Sequence, residues 1–324
     1  IPFNFPAMIP WGWVVPLAIA TGNTVVLKAS SATPLTSMRI LELFYTEGGF
    51  PPGIVNLVTC GRSEAELLLT DPRVKAVTFV GTTGVGKHIY SVAAAHGKRV
   101  QAQCEAKNHA LVLEDCDLES TVNAVVNSTY GCAGMRCMAL PVIVVQDSIA
   151  DKFVALLKKK AQQLVIGCAY DEKTVLGPLV SASHKQFVLD WIQKGIDEGA
   201  ELVLDGRGCT VKGYEGGFFV GPTIFDHVKP GMTVGEQEIF GPVTTIKRVK
   251  DFDEGIALMN RNPFANGSAI FTQNGYYARQ FEMLTDAGMV GINVGIPVPT
   301  AYFPFSGNKD SFFGDQHVLG LDGV

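Results

Sequence analysis

From residue 24 to residue 113, short apolar β-forming runs alternate with helix-forming stretches, most of them closed by glycine or proline. No other feature limits the fold so strongly. Residues 24–27 read as a strand ending at Lys28, and Thr33-Pro34 starts a helix with proline in its first turn. That helix carries Met38, Ile40, Leu41, Leu43 and Phe44 until Gly48-Gly49 stops it. Residues 54–58 form a second strand after the Pro51-Pro52-Gly53 punctuation, and a helix containing Leu67 and Leu69 follows. A third strand over residues 74–80 runs into Gly81-Thr82-Thr83-Gly84-Val85-Gly86 and a further helix. Residues 100–103 and 111–113 bring the count to about five strands, and the alternation predicts a parallel sheet with helices on both faces.

A second α/β unit begins beyond this point. A helix over residues 118–130 leads into Gly131-Cys132-Ala133-Gly134-Met135-Arg136-Cys137, followed by a strand at 142–145 and an amphipathic helix at 150–165. Further on come a helix over 184–198, a strand over 201–204, a glycine-rich loop over 206–217 and the turn Gly221-Pro222. The stretch Glu236-Gln237-Glu238-Ile239-Phe240-Gly241-Pro242 sets a carboxylate and a ring before a tight turn. Residues 290–294 read as a strand, and an aromatic, glycine-rich tail follows from residue 303.

With 324 residues, 47% hydrophobic and 18% charged, the chain is globular and long enough for about two domains. A net charge of −5 offers no basic footprint for nucleic acid, and Lys158-Lys159-Lys160 reads as a solvated helix face. Small molecules are the expected partners. Seven cysteines without a CxxC pair or a signal-peptide pattern point to reduced thiols in a cytoplasmic compartment, or the mitochondrial matrix in a eukaryote. Six scattered histidines without HExxH point away from a metal site. No apolar run reaches the roughly 20 residues of a membrane span. The opening at Ile1 reads as the middle of a longer chain.

Three places carry chemistry. Cys137 lies in a small-residue turn beside Arg136, where a carbonyl can approach closely and an adjacent cation favours the thiolate; a small buried side chain fits the same pattern. The glycines after the third strand let backbone amides approach a pyrophosphate at a helix N-terminus, although the GxGxxG pattern is incomplete and a plain strand-to-helix turn looks the same. The Glu238–Phe240 turn suits either a cleft or an ordinary polar loop.

The order of the motifs is more telling than any one of them. Phe3-Asn4-Phe5-Pro6, Gly22-Asn23-Thr24, Gly49-Phe50-Pro51-Pro52-Gly53, Phe79-Val80-Gly81-Thr82, Arg136-Cys137 and Glu238-Ile239-Phe240-Gly241-Pro242 together resemble the aldehyde dehydrogenase superfamily over essentially the whole chain. Lys98-Arg99-Val100-Gln101-Ala102, Ala106-Lys107-Asn108-His109, Arg136-Cys137-Met138-Ala139-Leu140 and Ile296-Pro297-Val298-Pro299 resemble its methylmalonate-semialdehyde branch. The resemblance implies a Rossmann-like cofactor domain over residues 1–106, incomplete at its start, and a second α/β catalytic domain over 107–305. Residues 306–324 would return toward the first domain, incomplete at their end.

It also implies roles. Cys137 would attack the aldehyde, with the oxyanion held by the Asn4 amide and the Cys137 N–H. NAD would be held by Lys28 at the adenosine ribose, Gly81 and Thr82 at the pyrophosphate, and Glu238 and Phe240 at the nicotinamide ribose, with Phe3 and Ser31 as further cofactor contacts. Ser30-Ser31 replaces a glutamate usual in the family, which leaves NADP open. Arg136 would read a distal carboxylate, as in malonate or methylmalonate semialdehyde, with loss of CO2 on the way to acetyl- or propanoyl-coenzyme A. Gln103 stands where hydrolytic members keep a glutamate base, which favours coenzyme A as acyl acceptor. Glu105, where the family usually has glycine, would face the same side as Gln103 on a regular strand and so offers a substitute base for hydrolysis. A catalytically silent protein of this fold and a thiol hydrolase are the competing classes. A dimer or tetramer is the assembly the resemblance implies.

Overall fold

The computed structural model describes residues 1–324 and divides into two compact units, residues 1–105 with 299–324, and residues 106–298. The first unit begins with a π-wound segment, Ile9–Val14, that continues as α1, Val15–Ala20. Then follow β1 (Val25–Lys28), α2 (Pro34–Thr46), β2 (Val55–Val58), α3 (Arg62–Thr70), β3 (Ala76–Val80), α4 (Thr83–Ala95) and β4 (Arg99–Gln103). β1 pairs with β2 in parallel, Val25 opposite Val55, and β3 pairs with β4 in parallel, Ala76 opposite Arg99. Val15, Leu27 and Val55 anchor the packing on the first pair, and Leu69, Ala93, Val100 and Ala102 anchor it on the second.

In the second unit, β5 (His109–Val112), α5 (Leu118–Tyr130), β6 (Val142–Gln146), α6 (Asp147–Ala161) and α7 (Ala182–Asp197) come first. They are followed by β7 (Glu201–Leu204), β8 (Thr223–Asp226), β9 (Val243–Val249), α8 (Phe252–Asn260), β10 (Phe264–Ala265), β11 (Gly267–Phe271), α9 (Gly275–Leu284) and β12 (Met289–Ile292). Seven strands make one sheet in the order β12-β11-β5-β6-β9-β8-β7, parallel except at β7 and β8. Its central strand β6 is apolar on both faces because helices cover both. Val125, Phe153, Leu157 and Ile192 pack on Ile143 and Val145 from one side, while Phe252, Ile256 and Phe281 pack on Val142 and Val144 from the other. Side chains cap four of these helices: Asp117, Ser181, Asp251 and Asn274 accept the N–H groups of Ser120, His184, Glu254 and Tyr276 at 2.9 to 3.1 Å. The chain ends in the first unit, where β13 (Asn308–Lys309) precedes β14 (Phe312–Gly314), which pairs antiparallel with β4.

The five early strands do not form one sheet. β1 and β2 stand as a separate pair, β3 and β4 join β14, and β5 belongs to the seven-stranded sheet. Local periodicity identifies strands, but pairing is decided by contacts distant in sequence. No helix is long and apolar enough to cross a membrane.

Candidate active site

In the second unit, α5 stops at Tyr130 and the chain turns through Gly131–Gly134, with Cys132 (φ 52°) and Ala133 (φ 53°) both in the left-handed region. Gly134 follows at φ +73°, and a Cβ there would overlap the carbonyl of Gly241, so only glycine fits. This close approach sets the turn before Cys137 against the Glu238–Gly241 loop. The next turn is closed by the Ala139 N–H on the Arg136 carbonyl at 3.1 Å and carries Cys137.

The turn is held by a residue that composition gave no reason to single out. Asn108, just before β5 and 3% exposed, donates its amide to the carbonyls of Cys137 and Ala139, both at 2.8 Å, and accepts the Gly267 N–H at 2.9 Å. Asn266 adds a 3.3 Å bond to the Cys137 carbonyl. Its only sequence signal was its place in Ala106-Lys107-Asn108-His109. Asn108, Arg136, Cys137, Glu238, Phe240 and Gly241 line one cavity. Glu238 accepts the Ala106 N–H at 3.1 Å, and Phe240, left-handed at φ 56°, has its carbonyl bonded to His184 of α7 at 2.8 Å.

The cation beside Cys137 does not activate it as its adjacency in sequence suggests. The Arg136 Nη1 donates to the Asn127 carbonyl at 3.1 Å and its Nε to the Cys132 Sγ at 3.3 Å. Burial, followed by the negative charge of Glu238, pushes the Cys137 thiol up to about 12. The neutral thiol is therefore the resting form at physiological pH. Lys107 is fully buried and donates to the Val234 carbonyl at 2.9 Å; burial first, then Lys247, lowers it to about 7.

The first unit carries the remaining residues singled out by sequence. The Phe3 carbonyl accepts from Thr33 Oγ1 at 3.3 Å, fixing the segment that contains Asn4. Lys28 ends β1 with its ammonium 3.1 Å from the Ala29 carbonyl, and Ser31 is exposed in the following turn. Gly81 and Thr82 are exposed where β3 passes into α4, and a Cβ on Gly84 would meet open space. The helix end therefore has room and amide donors for a phosphate. Gln103 is 2% exposed at the end of β4 and donates to the Ser306 carbonyl at 3.3 Å.

Glu105 does not serve as a second carboxylate beside Gln103. β4 ends at Gln103, so strand alternation no longer applies, and the Glu105 Oε2 accepts the Thr83 N–H at 2.8 Å. Its own N–H donates to Thr83 Oγ1 at 3.3 Å and its carbonyl accepts from Ser311 Oγ at 2.7 Å. The carboxylate is committed to the first amide of α4, which removes the geometric basis for hydrolysis through Glu105.

A profile of the aldehyde dehydrogenase family matches residues 1–322. The malonate-semialdehyde dehydrogenase 1 of Oceanobacillus iheyensis is 49% identical and that of Bacillus licheniformis 50% identical, each over 323 residues. Both alignments cover 100% of this chain and 66% of the relative, so the chain spans just under two thirds of their length. A methylmalonate-semialdehyde dehydrogenase from Oceanimonas doudoroffii superposes with a TM-score of 0.97 at 42% identity, over 99% of this chain and 66% of that one. A Mycobacterium tuberculosis aldehyde dehydrogenase in complex with NAD+ gives 0.92 at 30% identity, over 99% and 65%.

Proposed function

Because the chain belongs to the aldehyde dehydrogenase family, we propose that its protein oxidises a small carboxylated aldehyde, such as malonate or methylmalonate semialdehyde, with NAD and passes the acyl group to coenzyme A. The observation that carries this reading is the cavity that has both Arg136 and Cys137 in its wall. A cysteine and a neighbouring arginine on one cavity suit a substrate with a carbonyl at one end and a carboxylate at the other.

Cys137 is the nucleophile of this reading. Its thiol is neutral at rest, so its proton must pass to solvent as the sulfur adds to the aldehyde, and the raised pKa makes the thiolate strongly nucleophilic. The oxyanion of the thiohemiacetal falls to the Cys137 N–H and, by family role, to the Asn4 amide. Bound NAD supplies the hydride acceptor. Lys28 is assigned to its adenosine ribose, Gly81 and Thr82 to the diphosphate, and Glu238 and Phe240 to the nicotinamide ribose, with Phe3 and Ser31 as further cofactor contacts; NADP is the variant that the missing glutamate at Ser30-Ser31 permits. Gln103 is an amide and cannot take a proton from water, so the thioester on Cys137 persists until a thiol attacks it. Assembly as a dimer or tetramer belongs to the same reading.

The test is the full-length protein with NAD and malonate semialdehyde, assayed with and without coenzyme A. Turnover that requires coenzyme A and disappears in Cys137→Ala supports the reading. Turnover indifferent to the thiol refutes acyl transfer to coenzyme A, and a Cys137→Ala variant that still forms NADH refutes the nucleophile.

A further inference from the structure

Gly131 presents an anomaly. It closes α5 at φ −58°, ψ 142°, a backbone conformation open to any residue, so conformational freedom does not explain the glycine. What a side chain there would meet is Arg136: a Cβ at position 131 would lie 2.6 Å from Nη1 and 2.7 Å from Cζ and Nη2. The guanidinium thus rests on the bare Cα of Gly131. Two bonds fix it there, Nη1 to the Asn127 carbonyl at 3.1 Å and Nε to the Cys132 Sγ at 3.3 Å. Asn127 lies in the last turn of α5, where carbonyls accumulate negative charge and favour a cation. The left-handed backbone of Cys132, φ 52°, ψ 33°, places its thiol for the second bond.

We propose that Gly131 and Cys132 are positioning residues for Arg136, and that the missing side chain at 131 sets the preference for carboxylated over neutral aldehydes. The proposal rests on the reading of Arg136 as the contact for the substrate carboxylate. Nη2 has no partner in the chain, which leaves it for that carboxylate, while Nε and Nη1 are held in place. A guanidinium free to sample many rotamers would lose much of its pairing energy to ordering on binding. The seat removes that cost beforehand. Because the atoms that a Cβ would displace are the far end of a flexible side chain, Gly131→Ala shifts Arg136 and leaves the backbone as it is.

The experiment compares kcat/KM for malonate semialdehyde and propanal in the full-length protein, for the wild type, Gly131→Ala, Cys132→Ala, Cys132→Ser, Arg136→Leu and Gly131→Ala/Arg136→Leu. Gly131→Ala should lower kcat/KM for the semialdehyde about tenfold, chiefly through KM, and change propanal far less. Cys132→Ala should act in the same direction and Cys132→Ser should restore most of the loss, since a hydroxyl also accepts from Nε. In the double variant the alanine should add nothing. If Arg136→Leu separates the two aldehydes and Gly131→Ala does not, the seat is refuted and the carboxylate reading stands. If Arg136→Leu affects both aldehydes equally, both fall. A second measurement needs no turnover: the rate of labelling at Cys137 by iodoacetate relative to iodoacetamide, read by peptide mass spectrometry. An anionic reagent guided by Arg136 gives a higher ratio in the wild type than in Gly131→Ala, and equal ratios overturn the proposal.

Discussion

The carboxylate of Glu105 accepts the Thr83 N–H at 2.8 Å, so the first amide of α4 already faces a negative charge supplied by the chain itself. A phosphate brought to the same helix end meets that charge. Glu105→Gln keeps an acceptor for Thr83 and removes the repulsion, and it should tighten NAD binding by about 1 kcal/mol, roughly fivefold, at low salt. Fluorescence titration at two ionic strengths checks this; equal affinities at low salt would show that the diphosphate lies elsewhere.

Cys137 should react slowly at neutral pH in the protein without ligands. Only the thiolate is alkylated, and with the thiol pushed up to about 12, its fraction grows about tenfold per pH unit through the whole accessible range. Iodoacetamide labelling of Cys137 should therefore climb without a plateau from about pH 7 to about pH 10. Glu238→Gln removes the second cause of the shift and should speed labelling at any fixed pH. A plateau below about pH 9 would contradict the assignment.

Asn108→Ala should destabilise the second unit by about 2 to 4 kcal/mol, because two carbonyls and one N–H lose a buried partner. Urea denaturation measures the loss. Asn108→Asp should not rescue it, since a carboxylate has no N–H to donate to the carbonyls of Cys137 and Ala139.

Lys107 makes stability depend on pH in a defined direction. Burial, then Lys247, lowers it to about 7, below its ordinary value, so its favourable contribution is complete above about pH 10.5 and is lost as pH falls through about 7. The stability of the wild type should rise by more than about 1 kcal/mol from about pH 7 to about pH 10, with a shallower slope in Lys107→Met. Parallel slopes in urea midpoints would place the titration on another group.

Much of the fold is written locally. The helix at Leu118–Tyr130 and the strand at Glu201–Leu204 lie where residue pattern puts them, because Asp117 caps the one and a short apolar run, Leu202-Val203-Leu204, marks the other. β9 was not legible, although it is a central strand: Thr244, Thr245 and Lys247 interrupt its apolar run, yet all three are 4% exposed or less. The direction of the Arg136 side chain was equally hidden, since adjacency to Cys137 in sequence says nothing of the carbonyl and thiol that hold it. Glu105 misled for a related reason. Alternation of side chains holds only while a strand lasts, and β4 ends two residues too early.

Gly134 lies against the Gly241 carbonyl, and a Cβ on Gly241 would in turn come within 2.7 Å of Val188 in α7. For anyone diversifying the cavity of this protein, these two positions form a fixed frame: side chains introduced there should disturb the fold before they change what the cavity accepts. If Gly131 seats Arg136 as proposed, a library directed at residues 131 and 136, where the backbone at 131 admits any side chain, would explore selectivity without that clash.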